Sequence, residues 1–476
     1  MIRAAPPVLA RAGWIGLPLL AAALVVADPP LSDWLRLPDP VRALPWRLTP
    51  LLLALGLALT LAWRLARRAG FATSFTVLIL AASQLNGLGA GPLDIFDFTL
   101  LGMGAVWAGA IAPDAGRDLR LTPLFFAAGA LFILAFAHLP VARPVPWFVG
   151  QFSMFRVVLL VVILADLLRD EAALERAFTV LVLVATASAV IGLVQFGLAY
   201  FGIFYFTLID PPITAFKPTP LGFVMRASGL CITAQHYSSF MVCALPFALW
   251  RWARAWRWRD LAAVVLIGLG LGVSLNFGGI FAGALVVALF PFLRWPRLSI
   301  HLALAGLALV AVAYFTGVLQ IVYDLSFGDA GIAKGVDQRK TLFQLGLEQV
   351  GRSPLVGTGL RGFGESNGNF WHRPVHNLFG QAATELGLLA PLIFIGIWVR
   401  LTLDLAMRML HPPAGGGPWP KLMLVTLLSL LMLAQSEPNL EQSNLWIMLT
   451  LAQAAVLARP GGGAALRRSP PAPRRP

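Results

Sequence analysis

His376 and Asn377 open a long apolar run, and Gln381 and Glu385 lie further along it. Positions 377, 381 and 385 repeat every four residues, so on a helix they form one polar stripe with His376 at its border. A carboxylate that deep in a membrane helix is costly and belongs against the bundle interior or a water-filled cavity. A histidine of near-neutral pKa is the natural general base for an alcohol nucleophile. His376 and Glu385 are therefore the candidate catalytic residues. The structural alternative is that Asn377 caps the helix and Glu385 satisfies a buried partner.

Arginines supply the complementary chemistry. Arg226 stands just before Ser228-Gly229, and Arg339, Arg352, Arg361 and Arg373 fall in one long polar interval. A guanidinium stays charged and grips phosphate with a planar fork, so the candidate binding set of Arg226, Arg339 and Arg361 suits a pyrophosphate. Arg156, near the outer start of a predicted span, could snorkel or line the same cavity. Asn377 and His236 complete the binding candidates, although a lone helical histidine is more often packed than catalytic. Gly357–Gly362 matches G-x-G-x-x-G but lacks the strand and βαβ unit of a dinucleotide site. Its glycines read as a tight turn, with N–H groups available to an anion. Asp94, Asp97 and His138 form no regular proton ladder. No metal motif is present, and Cys231 and Cys243 share one predicted span, so neither a disulfide framework nor a metal or cofactor is expected.

The elements that hold these groups are apolar helices. Of the 476 residues 58% are hydrophobic and only 12% charged, and the mean hydropathy is +0.78, more apolar surface than a water-soluble fold can hide. Runs long enough to span a bilayer are predicted at 12–27, 48–63, 71–86, 93–112, 122–139, 152–168, 177–201, 229–250, 261–275, 277–293, 300–323, 376–399, 421–435 and 443–458. The expected fold is an all-α polytopic integral membrane protein with about 12–14 transmembrane helices. The net charge of +14 is scattered between these runs, which is topology information rather than a nucleic-acid stripe. Loops after even-numbered spans carry Arg64, Arg67, Arg68, Arg117, Arg120, Arg169, Arg176, the arginines of 251–259, Arg294, Arg297, Arg400, Arg408 and Lys421. The short loops after spans 3, 9 and 13 carry none. The even loops and both termini are thus expected in the cytoplasm, with the first run, after Arg3 and Arg11, retained as a helix. The organisation follows: an N-terminal bundle (1–201), a first opposite-face loop (202–228), central helices (229–323), a large opposite-face loop (324–375), C-terminal helices (376–459) and a disordered tail (460–476). Within the large loop, Asp337–Gly351 reads as a short amphipathic helix at the membrane surface, ahead of the third-last span.

Taken together, Arg226-Ala-Ser-Gly229 with Gln235-His236, Arg339 ahead of an amphipathic helix, Ser353-Pro-Leu-Val-Gly-Thr-Gly359, and His376-Asn377 with Glu385-Leu-Gly387 resemble the bacterial O-antigen ligase and O-antigen/exopolysaccharide polymerase superfamily over roughly 220–395. In place of that family's Ser-Arg-Gly-like turn the chain has Ser274-Leu-Asn-Phe-Gly-Gly279, which supplies no arginine there. The resemblance implies a GT-C-like membrane fold and a metal-independent inverting glycosyltransferase of the bacterial inner membrane. Its donor would be an undecaprenyl-pyrophosphate-linked oligosaccharide, used at the periplasmic face. The acceptor would be a growing glycan in a polymerase or lipid A core in a ligase, with membrane lipids and a chain-length regulator as further partners and no nucleic acid. Arg226 and Arg339, with Arg361, would hold the pyrophosphate while His376 takes the acceptor's proton and Glu385 orients or tunes it. The reading from another class is a lipid-linked oligosaccharide transporter or flippase. That would call for broken helices or mid-membrane charges in matching halves, whereas the polar groups here concentrate in two loops.

Overall fold

The structure is a computed structural model that describes residues 71–84, 95–111, 120–137, 144–201, 216–219, 222–231, 233–295, 332–366, 373–413, 416–435 and 440–458, with isolated positions between them. The predicted spans at 12–27 and 48–63, and most of 300–323, lie outside the described residues, as do Asp94, His138 and the 460–476 tail. Two compact units divide the chain, 1–78 and 79–476. Of the first, the described part is the opening of helix α1 (Phe71–Gln84).

The second unit is mostly helical. It runs α2 (Ile95–Ile111), α3 (Pro123–Phe136), α4 (Pro144–Leu167), α5 (Glu171–Tyr200), a hairpin of β1 (Phe216–Thr219) and β2 (Gly222–Met225), α6 (Ala234–Ala255), α7 (Trp258–Val273), α8 (Phe277–Arg294), α9 (Ile332–Arg352), α10 (Leu378–Leu386), α11 (Leu389–Leu410), α12 (Trp419–Ala434) and α13 (Ser443–Leu457). The helices start where the chain supplies an acceptor for their open N–H groups. Thr122 takes the Phe125 N–H at 3.3 Å ahead of Pro123, and Asp170 takes that of Ala173 at 2.7 Å. Asp170 therefore starts α5 at Glu171, six residues before the predicted span. Its thirty residues reach about 45 Å.

Among the described residues, four helices, Val149–Leu167 within α4, α5, α8 and α11, are long and apolar enough to cross a membrane. Their outward faces are apolar rather than charged: Leu392, Ile395, Val399, Leu403 and Met407 follow one another at helical spacing along α11, all exposed. α6 and α13 lie inside, buried on nearly every face from Tyr237 to Leu249 and from Ser443 to Ala455. Serine and threonine in this interior bond back to their own helices, as Thr426 to the Leu422 carbonyl (3.0 Å) and Thr450 to that of Trp446 (2.7 Å).

Basic side chains gather at one end of the helices. Arg120 and Arg408 donate to the last carbonyls of α13, at Leu457 (2.9 Å) and Ala458 (2.8 Å). Arg169 pairs with Asp166, and Arg254 lies 3.7 Å from Glu175. At the opposite end lie the stretch between β2 and α6, the α7–α8 turn, the start of α10 and the α12–α13 connection.

The 202–228 loop contains a short antiparallel hairpin pairing Phe216 with Met225 and Thr219 with Gly222, an addition to an otherwise helical unit. One expectation needs correction. The span predicted at 376–399 is two helices, not one. Gly387 sits at φ 83°, ψ 173°, a backbone region open essentially to glycine alone, and a side chain there would run into the Leu355 carbonyl. Glu385 is therefore in the last turn of a nine-residue helix, not two and a half turns into a membrane span. The amphipathic helix does form, longer than expected, as α9. Its Leu342 is buried with Phe363 and Val375, and Leu345 packs on that cluster.

Candidate functional site

Arg226 lies in the extended stretch that joins β2 to the Thr233 cap of α6. Its Nε donates to the Ser274 carbonyl at 3.2 Å, and the neighbouring Ala227 N–H donates to the Val273 carbonyl at 3.0 Å. Those carbonyls end α7 and have no intrahelical partner, so the end of one helix fixes the arginine. The α7–α8 turn follows at once, with Leu275 at φ 47°, where non-glycine residues are uncommon. Ser274 Oγ donates to the Leu271 carbonyl (2.6 Å) and accepts the Asn276 N–H (3.2 Å). Asn276 Nδ2 then donates to Ser238 Oγ at 2.6 Å and to Glu437 Oε1 at 2.5 Å, while Ser239 Oγ donates to Glu437 Oε2 at 3.4 Å. Glu437 is 3% exposed.

Arg339 enters from α9, on that helix's exposed side. It acts electrostatically on Arg226, on Glu437 and on His376, and Arg373 acts on His376 as well. Burial lowers Arg226 from its ordinary value; Glu437 opposes that and Arg339 adds to it. Arginine remains charged regardless. Burial, then Arg339, then Arg373 push His376 down to about 4, so its ring is neutral at pH 7 and can accept a proton. Burial raises Glu437 against the pull of Asn276, Arg226, Arg339 and Ser239. Arg339 thus links Arg226 and Glu437 electrostatically to His376, where Arg373 adds to the field, so that four separate parts of the chain act on one another here.

Arg156 and Arg361 belong to a second, ion-paired network. Arg156 Nη1 donates to Asp97 Oδ1 at 2.9 Å, with both side chains buried, and its Nη2 to the Glu441 carbonyl at 3.0 Å. Arg361, at φ 61°, donates to Glu441 Oε2 from Nε (2.9 Å) and Nη2 (2.6 Å). Its backbone N–H reaches the carboxyl of Glu385, which also accepts from Gln381 Nε2 at 3.3 Å. Burial and then the Glu441 charge raise Glu385 to about 8, against the Arg361 N–H, Gln381 and the Arg361 charge. At neutral pH that carboxyl is mostly protonated.

The predicted polar stripe forms and faces the α12–α13 connection. Asn377 Oδ1 accepts the Gly380 N–H at 2.9 Å, which makes it the cap of α10, and its Nδ2 donates to Gln435 Oε1 at 3.0 Å. Gln381 Oε1 accepts the Leu440 N–H at 3.3 Å. His236 lies in the first turn of α6: its N–H goes to Thr233 Oγ1 (3.2 Å) and its carbonyl accepts from Asn444 Nδ2 (3.3 Å).

The glycine-rich motif has a structural task. The Thr358 and Gly359 N–H groups donate to the Thr384 and Glu385 carbonyls at 2.9 and 2.8 Å, closing the open C-terminus of α10. A Cβ on Gly357 (φ 68°) would come within 2.7 Å of that same backbone. These N–H groups are therefore engaged with a helix end and do not point at an anion.

Sequence reasoning missed Glu437, Glu441 and Asn276. The signal for the glutamates was present: two carboxylates in the short interval between the last two apolar runs, on the face that carries no basic loop residues. Asn276 occupies the turn where the Ser-Arg-Gly-like pattern was absent, and there an amide anchors a carboxylate. Among the described residues no cluster of three or more His, Cys, Asp or Glu could hold a metal ion. Compared with known proteins, the chain matches no family model and no curated protein.

Proposed function

We propose that this chain is a polytopic membrane glycosyltransferase. It would transfer or polymerise an undecaprenyl-pyrophosphate-linked glycan at the periplasmic face of the bacterial inner membrane, most simply as an O-antigen or exopolysaccharide polymerase. The outward apolar faces of the long helices support a bilayer surround, since a water-soluble protein would cover them. The gathering of arginines at the end away from the site supports a cytoplasmic placement for that end.

One observation carries the chemical reading. Arg339, 113 positions from Arg226 in the sequence, acts electrostatically on both Arg226 and His376. In the reaction an acceptor hydroxyl oxygen attacks the anomeric carbon while the bond from that carbon to the pyrophosphate oxygen breaks. His376 takes the hydroxyl proton, and the electron pair leaves with undecaprenyl pyrophosphate. Arg226 and Arg339 stabilise the charge that grows on the leaving group, and a single displacement inverts the anomeric centre. Glu385, mostly protonated, is not a base in this scheme; it holds α10 and hence the approach of His376. Arg361 and Arg156 act through the same scaffold.

The test is turnover of purified protein with a lipid-pyrophosphate glycan donor. His376→Ala is expected to lower turnover about 10²–10⁴-fold, the range for losing a general base; unchanged turnover removes His376 from its role. Deletion in cells separates the acceptors. Single repeat units still attached to lipid A core indicate lost polymerisation, and accumulated carrier-linked polymer indicates lost ligation.

A further inference from the structure

We infer that Glu437 is the resident counter-anion of the arginine pocket, a positioning residue that sets how tightly a pyrophosphate is held and released. The inference rests on the pyrophosphate reading of that pocket.

A carboxylate 3% exposed in so apolar a chain needs compensation, because burying an unpaired charge is expensive. Glu437 is compensated in an uncommon way. Its two oxygens are fixed by neutral donors, Asn276 Nδ2 at 2.5 Å and Ser239 Oγ at 3.4 Å. Among the described residues no ion pair joins it to Arg226 or Arg339, although both cations act on it. The carboxylate and Arg226 are bound to the two ends of one turn, Asn276 and Ser274, with strained Leu275 between them. Backbone in this conformation persists where its surroundings over-determine it, and such places cluster at functional sites. The turn therefore sets the spacing between a cation and an anion that do not neutralise each other by direct contact.

This arrangement has a consequence for transfer. When the glycosidic bond breaks, the pyrophosphate gains a free terminal oxygen, so the product carries more negative charge than the donor. A pocket of arginines alone would hold the product more tightly than the donor and slow its release. With Asn276, Ser239, Arg226 and Arg339 favouring its ionised form against burial, a negative charge on Glu437 weakens both, and weakens the product more. Glu437 would then trade ground-state affinity for turnover.

Inorganic pyrophosphate binding to purified full-length protein in detergent tests this without turnover, by titration calorimetry and by the melting-temperature gain that the ligand gives. The variants are Glu437→Gln, which keeps the shape and the Asn276 bond, and Glu437→Asp, which keeps the charge. If the charge matters, the glutamine variant binds pyrophosphate roughly tenfold more tightly, the effect of one nearby unit charge in a partly solvated site. The aspartate variant, which keeps the charge on a shorter side chain, then binds less tightly than the glutamine variant, and with donor the glutamine variant shows a lower KM together with a lower kcat. Should the glutamine variant bind as wild type does, or more weakly, the counter-anion assignment is wrong while the pocket stands. Wild-type protein that does not bind pyrophosphate overturns the pocket reading, and this assignment with it.

Discussion

Arg339→Gln should move the titration of His376. The ring stands near 4 rather than 6.5 because of burial first, and then the charges of Arg339 and Arg373. A nearby unit charge in a partly solvated site contributes on the order of 1–2 kcal/mol. Removing Arg339 should therefore raise His376 by about one pH unit, to roughly 5, and leave the burial effect in place. Diethyl pyrocarbonate modifies only the neutral imidazole, so its rate against pH, followed at the peptide containing His376, reads this shift in the free protein. Inorganic pyrophosphate bound to the wild type should act in the same direction, since a bound anion cancels the cations that depress the ring. Under the proposed transfer, His376 would then become a stronger base when the donor arrives. In stability the sign follows from a folded value below the unfolded one: the contribution is full above about 6.5 and is lost as pH falls towards 4. Titration of His376 near 6.5 in the wild type, or no shift on removing Arg339, would refute the electrostatic link between the amphipathic helix and the ring.

Two further tests address the scaffold and the side. Gly387→Ala should destabilise by about 2–4 kcal/mol, because alanine disfavours φ 83° and its Cβ meets the Leu355 carbonyl. Gly396→Ala, which meets nothing within 4 Å inside α11, should be neutral or stabilising by about 0.5–1 kcal/mol, and melting curves in detergent compare the two. Leu355→Cys, at a site 79% exposed near the pocket end, should react in intact cells with a maleimide restricted to the periplasm. Trp258→Cys, 77% exposed at the arginine-rich corner between α6 and α7, should not, and the native Cys231 and Cys243 are buried. Labelling in the reverse order would put the pocket in the cytoplasm.

Much of the helical layout was legible because each segment announces itself locally. Apolar runs mark α2, α3, α7, α8 and α13 to within a few residues, and alternating loop charge marks their ends. What escaped was whatever a distant segment decides. Glycine before a leucine reads as an ordinary interruption in an apolar run. Gly387 breaks the helix because the 354–359 segment lies across it, with the Leu388 N–H on the Pro354 carbonyl at 2.8 Å. The hairpin was hidden by Pro218 and Pro220, which demote a strand in any sequence reading. For the proposed site, residue type picks out Arg226, Arg339 and His376 as candidates, since few side chains suit phosphate or proton transfer. It could not separate them from Arg156 and Arg361, because an arginine with a carboxylate partner looks the same in sequence as one without. The partners Asp97 and Glu441 lie 59 and 80 positions away.

The two charge networks meet in one short connection. Glu437 sits in the pocket, while the Leu440 N–H and Glu441 carry the ion-paired network, three and four residues later. Asn377 and Gln381 tie that connection to α10, through Gln435 and the Leu440 N–H, and the Thr358 and Gly359 N–H groups tie the end of α10 to the strand of chain that carries Arg361. A displacement of the α12–α13 connection would therefore be felt both at the arginines, through Glu437 and Asn276, and at α10, whose first turn follows directly on His376. An exposed pair such as Arg361–Glu441, with Arg361 48% exposed, adds little stability by itself. Its contribution is geometric: it closes a ring of contacts that fixes where the imidazole stands relative to the guanidinium groups, and catalysis by positioned groups depends on that distance more than on the strength of any one bond in the ring.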